Sequence, residues 1–194
     1  LTLQRHPFRH VYTGIEKTSK RAVQKHIIKN IKEVPLRTGC SMDFARDMFM
    51  FSFYTRGMSF VDMAYLRKKD LKNGILTYRR KKTGQQLSIR WEKCMQEIIN
   101  KYPSTQTTEY ILPIIRKVNL NERQQYRNAM ILVNRKLKQI SSLVNSPLPL
   151  SMYVARHSWA SIAKSKRIPL SVISEGMGHE SENTTKIYLA TLDT

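Results

Sequence analysis

Tyr188 stands nine residues after His179, His179 directly follows Gly178, and an Arg156–His157 pair lies upstream of both. Arginine, histidine and tyrosine together suit phosphoryl transfer. A phosphodiester under attack gathers negative charge on its non-bridging oxygens, and fixed guanidinium and imidazole donors can stabilise that charge without a metal. A tyrosine phenol can be the nucleophile and hold a covalent intermediate, while a lysine delivers the proton to the departing sugar oxygen. Other chemistries find less support. The five histidines (His6, His10, His26, His157, His179) and two cysteines (Cys40, Cys94) have no metal-ligand spacing, and no GxGxxG or GxxxxGKT phosphate loop occurs. No metal and no cofactor is expected.

The 194 residues carry 34 Lys and Arg against 14 Asp and Glu, a formal charge of +20. Such an excess points to a polyanionic partner. Aromatic residues do not interleave with the basic ones as a single-strand stacking platform would need, so double-stranded DNA is the expected partner. The length suits one substantial core. Isolated cysteines suit a reducing cytoplasm, no apolar run reaches the length of a membrane span, and no signal peptide is visible.

These candidate residues need positions, and the patterning predicts mainly helices. Ile27, Ile28, Ile31 and Val34 keep one apolar side until Pro35. Ser41 is the expected cap of a buried helix through Phe44 to Tyr54, and Ser59 with Asp62 has the spacing of a capping box opening Phe60 to Leu66. Ile75–Tyr78 and Leu87–Ile89 flank a polar turn carrying Lys81 and Lys82, which predicts a β-hairpin. Further helices are expected from Trp91 to Tyr102, from Asn121 to Val144, after Ser151, after Pro169 and after Ser181, with a short extended piece around Ile111.

The C-terminal block resembles the catalytic domain of the tyrosine recombinases, the phage-integrase family, where an HxxRH box, a Gly-His step and the nucleophile follow in order. Here the box reads Tyr153, Val154, Ala155, Arg156, His157, the step is Gly178 and His179, and the nucleophile position is Tyr188. The resemblance implies an α+β, mainly α-helical fold with a small antiparallel β-sheet over residues 21–194, with residues 1–20 a linker from a core-binding domain. It implies a site-specific recombinase of integrase or invertase type, working through a 3′-phosphotyrosyl intermediate without metal or ATP. The full-length protein would act as a homotetramer on two DNA sites in the bacterial cytoplasm, at the nucleoid, and the isolated domain as a monomer. A catalytically inactive DNA-binding homologue and a type IB topoisomerase-like strand transferase stand as alternatives.

By the same resemblance Tyr188 attacks the phosphate, Arg156 and His179 hold it, and Lys82, in the Lys-Thr-Gly of the hairpin, is the general acid. Two positions depart from the pattern. Tyr153 replaces the first histidine, keeping a hydrogen-bonding side chain but no base of near-neutral pKa. The first arginine, three residues before the acidic residue of its helix, is Ser59 here. Arg56, one helical turn earlier, is the expected substitute, as in the branch carried by mobile elements of Bacteroidetes, and Arg56→Ala is expected to abolish cleavage but not binding. Lys81, Arg79, Arg80 and Arg90 are expected to contact phosphates and position the duplex without reading it. His157 faces a different way from Arg156 on a helix, as a structural or DNA-contacting neighbour of the site.

Overall fold

Ile27, Ile28 and Ile31 bury one side of α1 (Lys25–Glu33), and Pro35 lies just past its end. In the computed structural model, residues 21–103, 108–117, 120–179 and 181–190 are described. They form eight α-helices and one three-stranded antiparallel sheet. The lead-in of residues 1–20, with its expected role as a linker, lies outside them. None of the described helices is long and apolar enough to cross a membrane.

Helix α2 (Ser41–Tyr54) is the centre of the core. Phe44, Met48, Phe49, Met50 and Phe51 are all buried, and the helix packs on α4 (Lys93–Asn100), α5 (Glu122–Leu143) and α6 (Met152–Ser165). Its apolar character on nearly every side is what a helix covered on several faces requires. Asp43 and Asp47 are buried with it, but paired: Lys101 Nζ donates to Asp43 at 2.9 Å and Tyr102 Oη to Asp47 at 2.7 Å. These bonds tie the end of α4 to the first turns of α2. The cap differs from expectation by one residue. Cys40, not Ser41, precedes the helix, and its sulfur accepts the Asp43 N–H at 3.4 Å, because Asp43 reaches back to the Gly39 N–H at 2.9 Å and so sets the start of the helix.

The short helix α3 (Phe60–Ala64) begins at the predicted cap, Ser59 Oγ accepting the Asp62 N–H at 3.3 Å. Asp62 also accepts the Lys81 N–H at 2.8 Å, so α3 holds the hairpin turn. Strands β1 (Leu71–Lys72), β2 (Ile75–Arg79) and β3 (Gln86–Arg90) lie in sequence order, with Thr77 opposite Ser88. Leu76, Tyr78, Leu87 and Ile89 alternate inward, as a half-buried hairpin dictates. β1 is a strand that the sequence did not announce: two residues in a charged run carry no alternation to read. Near Ile111 the extended piece is a single bridge, Tyr110 to Arg67.

Val133, Leu137 and Ile140 seat α5 on the core. Helix α6 follows Ser151, whose side chain makes no capping bond; Asn134 of α5 accepts the Met152 N–H instead, at 3.0 Å. The chain then turns into α7 (Leu170–Met177) and α8 (Glu182–Ala190), which pack on each other.

Candidate active site

Arg156 is buried on α6, and its guanidinium is fixed by two backbone carbonyls: Nη1 donates to Gly57 O at 2.8 Å and Nη2 to Met177 O at 2.7 Å. The first carbonyl belongs to the turn after α2, where Arg56 and Gly57 both take left-handed conformations, φ 59° and 75°. A side chain at Gly57 would have nowhere to go. Its Cβ would lie 2.7 Å from the Arg156 Cα and 2.8 Å from its Cγ. Glycine here therefore lets the turn close directly onto the arginine.

The Gly-His step is a helix end. Gly178 leaves α7 at φ 63°, its N–H bonding Glu175 O at 2.9 Å while the His179 N–H bonds Ser174 O at 3.0 Å. This left-handed turn points His179 at Arg156, whose Nη2 lies 3.2 Å from His179 Nε2. A guanidinium can only donate, so Nε2 accepts and Nδ1 carries the proton, which it donates to Thr185 Oγ1 of α8 at 2.7 Å. Burial first, then the positive charges of Arg156, Arg80 and Lys82, push the His179 pKa down to about 4. The imidazole is neutral at neutral pH.

Tyr188, on α8, meets the same group. Its ring stacks on His157 at 4.1 Å and 13°, and stands edge-on to His179 at 5.6 Å. Burial raises its phenol well above the ordinary tyrosine pKa, with Arg156 drawing it back. Phenol, not phenolate, is the resting form.

His157 corrects the expectation of a DNA contact. It is 1% exposed and lies between Tyr188 and Tyr153, whose ring stands edge-on at 4.4 Å. Neither ring nitrogen has a hydrogen-bond partner among the described residues. Burial, then Arg21 and Arg156, push its pKa down to about 4 from 6.5. In the window between those values the unfolded chain binds a proton that the folded chain refuses, so stability falls with pH there. Replacing His157 by Phe keeps the stack and removes that proton. The melting temperature of the His157→Phe variant is expected to fall less than that of the wild type between about pH 7 and about pH 5, leaving the contribution of His179. An unchanged slope would show that His157 is not held neutral.

An open groove of about 750 Å³ runs between these elements, and Tyr153, Arg156, His179 and Tyr188 all line it. Tyr153 is 46% exposed, its ring face beneath the Arg21 guanidinium at 5.4 Å. From the β2–β3 turn, Lys82 and Arg80 reach the same groove, whereas Lys81 turns the other way, over the Tyr65 ring at 4.6 Å. Arg79, exposed, donates to Gly84 O at 3.2 Å, and Arg90, exposed, lies 3.7 Å from Glu92. Both are exposed side chains of the hairpin. Arg80 does not fit that description: it is 9% exposed and donates to Gly178 O. Arg56 does not line the groove. Its Cδ lies where it would touch a Cβ at Gly176, at 3.3 Å, beside the Trp159 ring. No sequence signal separates Arg80 from its basic neighbours, since its partner carbonyl is 98 residues away.

A mainly helical domain with a small antiparallel sheet, closing Arg, His, Lys and Tyr side chains around one groove, is the architecture of a tyrosine-recombinase catalytic domain. The chain matches the phage integrase family over residues 18–194 and belongs to that family. Among solved structures it is similar to XerH site-specific recombinase in a post-cleavage complex with palindromic difH substrate, with TM-score 0.66 and 15% identity, covering 94% of this chain and 53% of that one. It is similar to XerA recombinase, with TM-score 0.64 and 15% identity, covering 88% and 60%. It is also similar to lambda integrase as a tetramer bound to a Holliday junction, with TM-score 0.62 and 16% identity, covering 91% and 50%. The chain thus spans between half and three fifths of these proteins. No curated protein matches it.

Proposed function

We propose that this chain is the catalytic domain of a site-specific recombinase, which cleaves and rejoins duplex DNA through a 3′-phosphotyrosyl intermediate. The observation that carries this is the convergence of Tyr188, Arg156, His179 and Lys82 on one groove, from α8, α6, the end of α7 and the β2–β3 turn. Tyr188 Oη forms a bond to phosphorus as the bond from phosphorus to the 5′ oxygen breaks. Lys82 gives that oxygen its proton, freeing a 5′-hydroxyl. The phenolic proton passes to solvent in the open groove, because both His179 nitrogens are engaged, Nε2 accepting from Arg156 and Nδ1 donating to Thr185.

Arg156 stabilises the charge that builds on the non-bridging oxygens, and its two carbonyl bonds hold it ready before the substrate arrives. Rejoining is the reverse attack, by the 5′-hydroxyl of another strand on the phosphotyrosine. The phosphodiester energy is conserved in that bond, so the exchange balances without ATP, and the guanidinium, imidazole and ammonium groups supply the charge that a metal would otherwise bring. The charge of +20 suits a duplex backbone. By analogy with the lambda integrase tetramer on a Holliday junction, the full-length protein assembles as a tetramer on two sites. Residues 1–20 lead in from an upstream core-binding domain.

The test is covalent capture. Full-length protein incubated in EDTA, without nucleotide, with nicked duplexes of randomised sequence is expected to yield denaturation-resistant adducts on one family of sequences. Peptide mapping is expected to place the DNA on Tyr188. Adducts spread over all sequences would mean topoisomerase-type transfer, and DNA binding with no adduct at all would leave a binding protein without catalysis.

A further inference from the structure

We infer that Arg80 is a catalytic residue, the second guanidinium on the scissile phosphate, in the role that the sequence assigns to Arg56. This rests on the groove being a phosphodiester-cleavage site. Three features of Arg80 carry it, and each separates it from the other arginines of the hairpin.

The first is its backbone. Arg80 follows the last residue of β2, and the turn is closed on both sides of it: its N–H donates to Gln85 O at 2.9 Å, and its carbonyl accepts the Gly84 N–H at 2.8 Å. The next residue is pinned by Asp62. A residue held this way directs its side chain with little freedom.

The second is where that side chain goes. Nη1 of Arg80 donates to Gly178 O, while Nη2 of Arg156 donates to Met177 O. Consecutive carbonyls at the end of α7 therefore hold two guanidiniums in the wall of one groove. The Arg80 stem fills the space beside Gly178, whose Cβ would come within 2.7 Å of the Arg80 Cδ. Gly178 thus serves twice: it permits the left-handed turn and makes room for an arginine. Gly57 does the same for Arg156.

The third is charge. Arg80 and Arg156 are each 9% exposed, and among the described residues neither forms an ion pair with a carboxylate. Two buried cations side by side repel each other, and carbonyl dipoles offset only part of their lost hydration. An anion placed between them would complete the arrangement. A phosphate in the groove is that anion, and its charge rises as Tyr188 attacks, so the pair is worth more in the transition state than in the ground state. Arg80 exchanges no proton in this step. Arg56, by contrast, has its stem packed beside Gly176 and Trp159 and lines no part of the groove.

The experiment compares wild type, Arg80→Ala, Arg80→Met and Arg56→Ala in the full-length protein. Each is tested on the captured duplex with either a normal phosphate or a neutral methylphosphonate at the scissile position. Methionine keeps the buried stem, so a folding defect of the alanine variant leaves the question answerable. On phosphate, both Arg80 variants are expected to lose about a hundred- to a thousand-fold in single-turnover cleavage, while Arg56→Ala stays within about threefold of wild type. On methylphosphonate, where one non-bridging charge is already removed, the Arg80→Met variant is expected to come within about tenfold of wild type. A merely structural role would depress both substrates equally, and that result would overturn the assignment, as would normal cleavage of phosphate by both Arg80 variants. No adduct with wild type on either substrate would overturn the cleavage chemistry itself, and this assignment with it.

Discussion

Tyr188→Phe is expected to abolish the covalent adduct altogether while leaving DNA affinity within about twofold of wild type and the fold unchanged. The substitution removes one oxygen and keeps the ring that stacks on His157 at 4.1 Å. Packing against the buried cluster that includes Ile173 and Met177 is retained as well. In the proposed reaction the phenolic oxygen is the atom that bonds to phosphorus, so no neighbouring group restores it by lending charge. Thr184 is the other α8 hydroxyl lining the groove, and its oxygen lies 3.2 Å from the Ser181 hydroxyl, which is no base to activate it. The measurement is adduct yield on a nicked duplex by denaturing gel, with binding followed by fluorescence anisotropy and folding by thermal melt. Wild-type adduct yield from the phenylalanine variant would place the nucleophile elsewhere.

Gly57→Ala is expected to be the most damaging single-methyl change near the site. Alanine in a left-handed conformation costs about 1–2 kcal/mol, and overpacking a tight contact adds about 1–3 kcal/mol. The clash is with the Arg156 Cα, 2.7 Å from the new Cβ, and a backbone atom cannot swing aside as a flexible side chain could. Helix α6 has to move, taking with it the Arg156 bond to Gly57 O at 2.8 Å. Thermal melting is therefore expected to report a loss of roughly 2–5 kcal/mol, and cleavage by the still-folded fraction is expected to drop by about a hundredfold. Gly39→Ala is the internal control. That glycine has φ 76° but open space around it, so only the conformational penalty applies and cleavage stays normal. Equal destabilisation of the two variants would mean that the contact with Arg156 contributes nothing.

Both results depend on how far the chain announces its own structure. The helix pattern is legible because apolar residues recur every three or four positions in α1 and α5, and the hairpin because they alternate around a polar turn. The buried nature of α2 is legible too, since Phe44 to Tyr54 is apolar on nearly every side. What escaped is local and small: strand β1 is two residues of a charged run, and the cap of α2 is a cysteine because Asp43 bonds back to Gly39. Neither leaves a trace in periodicity.

For the site, the sequence by itself determined which residue types are present and how Arg156, Gly178, His179 and Tyr188 are spaced along the chain, and the family follows from those. It also showed that an arginine is missing from its usual place. Which arginine stands in the groove was decided by tertiary structure alone. Past the end of β2 the two-residue alternation no longer applies, so the direction of Arg80 depends on bonds to Gln85 and Gly84 within the turn and to Gly178 across the fold. The same holds for His157. Helix periodicity already turns it away from Arg156, but that it stacks on Tyr188 of another helix, where burial keeps it neutral, is a contact across the fold. Spacing along one helix or loop is written in the chain, whereas contacts between segments about a hundred residues apart form only when the core around α2 closes.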